Sequence, residues 1–254
     1  MLQGKCQHSK EIDGYKSFVI PTQKDVDIKK GRSSGGLIVY YKNHFHQFIK
    51  LCRKTPHYIW IEISKNIFHS MHESIRICIA YNPPANSDYC NKNIFEDLSE
   101  NLLTTCNTNT PFLLIGDLNA RTGELLDYED ETADEQDGPP KREVIPTKRS
   151  NCDKYTNQMG NKLIDFCKGH DLQILNGRTI GDQIGAFTFC DTQQGSLTID
   201  VAVVSDSLKP VIKSLVVQHQ NEVTKHCKIV VRIKNLKESI SLNKSRDFCW
   251  SIMA

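Results

Sequence analysis

The sequence has no excess of charge of either sign, no long hydrophobic run and no paired cysteines. Its 32 Lys and Arg stand against 30 Asp and Glu, a formal net charge of +2. That excludes a histone-like or tail-like binder held to nucleic acid by bulk charge, whereas a site that handles phosphate through a few local groups needs no large net charge. No apolar stretch approaches the ~20 residues that a membrane span requires. The ten cysteines are scattered, with no C-x-x-C pair and no Cys/His quartet, and the N-terminus does not read as a signal peptide. They are expected to be free thiols of a reducing compartment, which places the protein inside the cell rather than among secreted ones. There is no internal repeat and no low-complexity linker. What remains is 254 residues with 39% hydrophobic and 24% charged content, enough for one large α/β domain or two small ones with a packed core. The chain starts abruptly at Met1-Leu2-Gln3-Gly4-Lys5-Cys6 and within a few residues reads like the middle of a domain.

Short β-branched and aromatic runs dominate the rest. Residues 36–41 follow a Gly/Ser turn and read as a strand, as do Tyr58–Ile63 and Ile75–Tyr81. The last of these must stop at Pro83-Pro84, because proline cannot continue a ladder. Residues 88–106 space Ile94, Phe95, Leu98, Leu102 and Leu103 as a helix does. Phe112–Ile115 is a continuous apolar run, the mark of a strand buried on both faces. An acidic stretch from Glu124 to Asp137, the break at Gly138-Pro139-Pro140 and the cations Lys141, Arg142, Lys148 and Arg149 mark a long loop. A helix is expected at Asn161–Lys168, and strands at Leu172–Leu175, Ala186–Phe189, Thr198–Val204, Val211–Val217 and Ile229–Ile233. Strands outnumber helices and helices intervene, which predicts an α/β sandwich of two packed sheets with helices outside. The domain is expected over 1–234, with 235–254 a polar extension.

Four places combine polar groups with strand ends. Asp117 and Asn119 follow the buried run Phe112–Ile115, and strand alternation would set them on one face. A carboxylate and an amide side by side can hold a water and a phosphate oxygen; an Asx turn at a strand end is the structural alternative. Asp200 lies inside an apolar β-forming run, where a charge needs a partner or a rim, so it is either one half of a structural ion pair or part of a site. His226 precedes the strand at 229–233; a lone histidine is commonly packing, but an Asp200–His226 pair would explain both residues, the carboxylate orienting the imidazole and keeping it protonated to meet a phosphate. Tyr81 ends its strand, where its ring can pack and its hydroxyl can reach a phosphate.

Six segments in this order, Ile12–Tyr15, Gly31–Gly36, Tyr81–Pro84, Ile115–Arg121, Asn157–Gly160 and Ser196–Asp200, resemble the endonuclease/exonuclease/phosphatase superfamily, which includes AP endonucleases, pancreatic DNase and inositol phosphatases. The resemblance is greatest to the endonuclease domain of LINE-type retrotransposons. Each motif is weak alone; the ordered set, spanning residues 2–233, is specific. It implies a four-layer DNase-like fold, two mixed β-sheets flanked by helices, and hydrolysis of a DNA phosphodiester by in-line attack of water assisted by Mg²⁺ or Mn²⁺. By the same resemblance Asp117 would align and deprotonate the water and serve as a metal ligand. Asn119 would help fix the phosphate, Tyr81 would contact it or the leaving oxygen, and His226, held by Asp200, would bind it. Ser196 would stand in the shell behind Asp200. Arg32 and Arg121 are candidate substrate contacts, Arg32 with Lys29 and Lys30 beside it or else in a solvated loop. A working nuclease would act in the nucleus.

The departures have a physical direction. The family pattern opens with a strand carrying an active-site Asn and a second strand whose Glu holds the metal; here Leu2-Gln3-Gly4-Lys5 stands where that Glu is sought, so the first strands are expected to be missing. The family's closing Ser-Asp-His is Thr224-Lys225-His226 here, a cation in place of a carboxylate. Both changes weaken Mg²⁺ binding, which calls for carboxylates. The expectation is therefore a retroelement-derived nuclease domain, catalytically weak or dead. The alternatives are a domesticated, non-enzymatic DNA- or chromatin-binding module and, ranked last, a phosphatase on a small or lipid substrate, since fold does not settle substrate.

Overall fold

The computed structural model describes residues 11–22, 36–69, 71–105, 110–129, 147–193, 195–218, 224–234, 237 and, by backbone, 248–250. Six strands form the central sheet: β3 (Ile49–Lys54), β4 (Tyr58–Ile63), β5 (Ile75–Tyr81), β6 (Phe112–Asp117), β7 (Leu172–Ile174) and β10 (Asp200–Ser205). Their order is β3-β4-β5-β6-β10-β7. β5 and β6 run parallel and the other neighbours run antiparallel, so the sheet is mixed. The parallel step needs a crossover, and α1 (Ile94–Thr105) supplies it. α2 (Gln158–Gly169) makes the connection from β6 towards β7. A second layer is built from the hairpin β1 (Tyr15–Ile20) and β2 (Leu37–Lys42) and from β11 (Ile212–Gln218), β12 (Lys228–Ile233) and β13 (Phe248–Trp250), the last paired with β12. A short hairpin, β8 (Phe189–Asp191) and β9 (Gly195–Leu197), completes the set.

The two faces of the central sheet carry different cores because successive side chains point to opposite sides. On one face Ile77, Ile79, Leu113, Ile115, Ala202 and Val204 pack against Val39, Leu215, Ile229 and Val231 of the second layer. On the other, Trp60, Cys78, Leu114, Val201 and Val203 pack against Leu98 of α1 and Leu163 and Phe166 of α2. The two packed β-layers expected from the sequence are present, the second formed among the described residues by a two-stranded and a three-stranded antiparallel sheet, and the helical layer described lies on the central sheet's other face. No helix among these residues is long and apolar enough to cross a membrane.

Several boundaries differ from the sequence expectation. The first helix starts at Ile94 rather than near residue 88, because the Asn82 side chain accepts from the Asn91 N–H and donates to the Asn91 carbonyl, which holds the preceding segment as a turn. α2 starts at Gln158, three residues early, because Asn157 caps it, its side chain accepting from the Gly160 N–H. Ala186–Thr188 is not strand; Thr188 and Ala186 are held by hydrogen bonds to Ile199, Asp200, Thr198 and Asp182 instead. Thr198 and Ile199 separate two strands rather than continue one. β1, β3, β9 and β13 had no expected counterpart; β3 is exposed along all but its first residue, so no alternating apolar signal marks it. Arg149, read as one of the cations that mark a long loop, is 3% exposed, its guanidinium donating to Thr122 Oγ1 and the carbonyl of Gly123. Lys141 and Arg142 lie outside the described residues.

One glycine fixes how closely the central strands meet next to Asp117. A Cβ on Gly116 would stand 1.8 Å from the Ala80 carbonyl oxygen of β5. The substitution Gly116→Ala is therefore expected to cost about 1–3 kcal/mol by overpacking, or to prevent folding, and urea unfolding followed by circular dichroism measures it; a change under about 0.5 kcal/mol would contradict the close approach.

Candidate active site

The core pattern itself aims three polar side chains at one rim. Ile77, Ile79 and Tyr81 share a face of β5, Leu113, Ile115 and Asp117 share that face of β6, and Asp200, Ala202 and Val204 share it on β10, by alternation. The register then sets Tyr81 opposite Asp117 and Asp117 opposite Asp200. Three chemically distinct groups thus stand in a row across three neighbouring strands, where the apolar contact between the layers ends. His226 comes from the other layer, just ahead of β12.

His226 Nδ1 lies 3.2 and 3.0 Å from the two Asp200 carboxylate oxygens, and its Nε2 lies 3.9 Å from Asp117 Oδ2. The Asp200–His226 pairing expected from the sequence is present. Asp200 uses both oxygens on one ring nitrogen and so aims the other at Asp117. Its backbone N–H donates to Thr188 Oγ1 and its carbonyl accepts from Asn176, which fixes the strand start. Phe189 packs edge-on against the imidazole, ring centroids 5.0 Å apart.

Asp117 is 3% exposed. Its Oδ1 accepts from the backbone N–H of Asn119 at 3.0 Å and from the Asn119 side chain at 3.1 Å, and the same amide nitrogen donates to the Asn82 carbonyl at 2.8 Å. The Asx turn considered from the sequence therefore coexists with the site. Asn119 does not reach it by strand alternation, since β6 ends at Asp117; it is turned in by a left-handed backbone, φ 49°. Both amide hydrogens of Asn119 are used, and its carbonyl oxygen is what remains to meet a ligand.

Burial pushes the Asp117 carboxyl up to about 8; the Asp200 carboxylate adds to the rise, while His226 and the Asn119 N–H oppose it. Burial works against a charged His226, but the hydrogen bond and charge of Asp200, then the charge of Asp117, outweigh it and hold the imidazole above its ordinary value. A buried carboxylate that keeps its proton for want of compensating charge is a place where a cation would be welcome. Asp117, Asp200 and His226 each offer one donor atom, all within 4.8 Å of one another.

The remaining expected residues fall elsewhere. Arg121 is tied to Asp153, Nε to Oδ2 at 2.8 Å and Nη2 to Oδ1 at 2.6 Å, with Tyr155 stacked on the guanidinium at 4.9 Å. Burial would raise Asp153, but Arg121 and the N–H groups of Thr198 and Tyr155 prevail and hold its carboxyl below the usual range. Ser196 is exposed on β9, opposite Cys190. Lys225 is paired with Asp191. Arg32, Lys29 and Lys30 lie outside the described residues. Sequence reasoning missed Asn82, Thr188 and Asp153, whose side chains hold the loops around Asp117 and Asp200. It also missed that Asn157 ties two elements together: its Oδ1 accepts from Arg121 N and Gly160 N, and its Nδ2 donates to the Asn119 carbonyl. An Asn three residues before Gly160 at a helix start was the available signal.

A sandwich with a mixed central sheet is the architecture of the endonuclease/exonuclease/phosphatase class. Within it the chain belongs to the endonuclease-reverse transcriptase family, which matches residues 75–229, more than half of the sequence. The endonuclease domain of TRAS1, a telomere-specific non-LTR retrotransposon, superposes with a TM-score of 0.58 over 89% of this chain and 83% of that one, at 12% identity. The AP endonuclease LMAP from Leishmania major does so with a TM-score of 0.56 over 85% of this chain and 69% of that one, at 14% identity. At such identities the likeness is one of fold. No curated protein sequence matches the chain.

The raised Asp117 carboxyl has a stability consequence. The folded state keeps a proton that the unfolded chain, with an ordinary carboxylate value of about 4, releases. That contribution is complete below about 4 and is lost as pH rises towards about 8. Asp117→Asn cannot titrate, so in metal-free buffer its melting temperature should exceed that of the unsubstituted protein by a margin that widens from pH 5 to pH 8. A pH-independent margin would contradict a protonated Asp117. Separately, Asp200→Asn is expected to lower the His226 titration midpoint followed by NMR.

Proposed function

We propose that this chain is a retroelement-derived nuclease domain that acts on DNA phosphodiesters with the help of Mg²⁺ or Mn²⁺, at reduced efficiency, and that its place of action is the nucleus. One observation carries the reading: Asp117, Asp200 and His226 converge from two sheets with a single imidazole nitrogen turned towards the Asp117 carboxylate. The two groups stand 3.9 Å apart at the rim, a carboxylate that can take a proton beside an imidazole that can donate one to a phosphate set against both. In this reading Asp117 accepts the proton of the attacking water, and a carboxyl with a value near neutrality suits that task. His226 donates from Nε2 to a phosphate oxygen, kept protonated and oriented by Asp200. Asn119 positions Asp117 rather than donating to the phosphate, since both its amide hydrogens are used. Tyr81, in register beside Asp117, offers its hydroxyl to the phosphate or the leaving oxygen. Arg121, held by Asp153, contributes through the loop it anchors, and Ser196 through the β8–β9 hairpin.

The donor set suits a divalent ion, though sparsely. Asp117 Oδ2 and the side-chain Oδ1 of Asn119 would hold it, with Asp200 engaged on His226. When bound, the ion would neutralise charge at the phosphate. Mg²⁺ accepts one or two protein carboxylates with water completing its shell. Lys225 stands before His226 where the family pattern has an aspartate, and this supports weak metal binding and a low rate.

A second reading, a DNA-binding module without turnover, is favoured by the same Lys225. Plasmid nicking separates the two. We expect slow nicking with Mn²⁺ or Mg²⁺ that falls at least about 100-fold in Asp117→Ala. DNA binding with no nicking above that of Asp117→Ala, in either metal, would overturn the nuclease reading in favour of the binding module. Hydrolysis of inositol phosphates but not of DNA would overturn both.

A further inference from the structure

Two thiols meet beside His226 and take no part in the chemistry proposed above. Phe189 of β8 forms an isolated antiparallel bridge with His226. The flanking hydrogen bonds run from Cys190 N to the Lys225 carbonyl at 2.8 Å and from Cys227 N to the Thr188 carbonyl at 2.6 Å. This makes Phe189 and His226 a close, non-hydrogen-bonded pair. The residue after each, Cys190 and Cys227, then points to the opposite side of that short ladder, and there the two thiols are hydrogen-bonded to each other. Both are free thiols; Cys190 is exposed and Cys227 is buried.

We propose that Cys190 and Cys227 form a reversible dithiol/disulfide pair that takes a low-molecular-weight disulfide such as oxidised glutathione as its oxidant and covalently ties the segment carrying His226 to the β8–β9 hairpin. The accessible sulfur reacts first. The Cys190 thiolate attacks the oxidant's S–S bond, forming a mixed disulfide and releasing one glutathione thiolate. Cys227, losing its proton to solvent, then attacks the Cys190 sulfur, forming the Cys190–Cys227 bond and releasing the second glutathione thiolate. Two protein thiols are oxidised and one glutathione disulfide is reduced to two thiols. Burial pushes the Cys227 thiol up to about 11, so the second step is slow and quickens with pH. Cys190 and Cys227 are diagonal neighbours on one side of the ladder, so forming the S–S bond of about 2 Å draws the two short segments together. The bond would span residues either side of the Phe189–His226 pair and clamp the imidazole's backbone from behind, removing freedom from the unfolded chain over a long loop.

The test uses the full chain with all its cysteines, incubated in glutathione buffers of increasing oxidised fraction at pH 8, then alkylated and digested for peptide mass spectrometry. The expected result is a cross-linked Cys190–Cys227 peptide that is lost on reduction, absent in Cys190→Ser, and accompanied by a melting temperature raised by several degrees. The exposed Cys190→Ser variant should fold, so absence of the cross-link there is informative even if Cys227→Ser does not. A glutathione adduct that persists on Cys190 without the cross-link, or cross-links of either residue to other cysteines, would overturn the proposal. These readouts need no nuclease activity, so their failure and the failure of the nuclease reading are separate results.

Discussion

The hydrogen bond between Asp200 and His226 joins the two layers of the sandwich at the rim where their apolar contact ends. Asp200 opens the strand beside β6 in the central sheet, and His226 precedes β12 in the second layer. A carboxylate almost fully removed from water needs a partner, and a partly buried imidazole is charged only if something holds its proton. Each residue meets the other's need, and the geometry that satisfies both leaves one imidazole nitrogen facing Asp117. The rest of the site takes its positions from that arrangement: Tyr81 and Asp117 stand in register with Asp200 across β5, β6 and β10.

Around this pair runs a shell of buried polar residues that holds loops rather than substrate. Asn82 braces the turn after β5, Asn157 links the Asn119–Arg121 loop to the start of α2, and Asp153 fastens Arg121 while receiving the Thr198 N–H near Asp200. Segments between strands carry backbone N–H and carbonyl groups that no ladder satisfies, and each of these side chains supplies missing partners. The same economy explains the glycines at the site: Gly116 admits the Ala80 carbonyl, and Gly160 admits the Arg121 carbonyl, because a Cβ would stand where those oxygens are. Asp117 is held rigidly in a place that disfavours its own charge, so stability and chemistry oppose each other there.

Much of this arrangement is legible in the amino-acid sequence. Tyr58–Ile63 is observed with the expected bounds, and Ile75–Tyr81 likewise, because isoleucine at every second position bounded by turn residues has few other uses. Asp200 stands out as a charge inside an apolar run, Asp117 as the polar residue that follows one, and His226 as a lone histidine just ahead of the strand at 229–233. The exposed strand β3 is not legible, since a strand with little buried surface leaves no alternating pattern. Arg149 misleads for the opposite reason: it sits in a charge-rich stretch, yet it is buried, with Nη2 donating to carbonyls and a hydroxyl about 25 residues away in the chain, partners that no local window contains.

The sequence by itself determined the strand phases, and with them which residues face the same way: Ile79 with Tyr81, Ile115 with Asp117, Asp200 with Ala202. Alternation is a property of the chain alone, so it can be read from the chain. Only the tertiary structure decided which strands lie next to one another and which turns reach the rim, because those depend on crossovers and on hydrogen bonds between distant residues. That is why Asn119 enters the site by a left-handed turn rather than by alternation, why Arg121 is bound to Asp153, and why Cys190 and Cys227, 37 positions apart in the sequence, stand side by side behind His226.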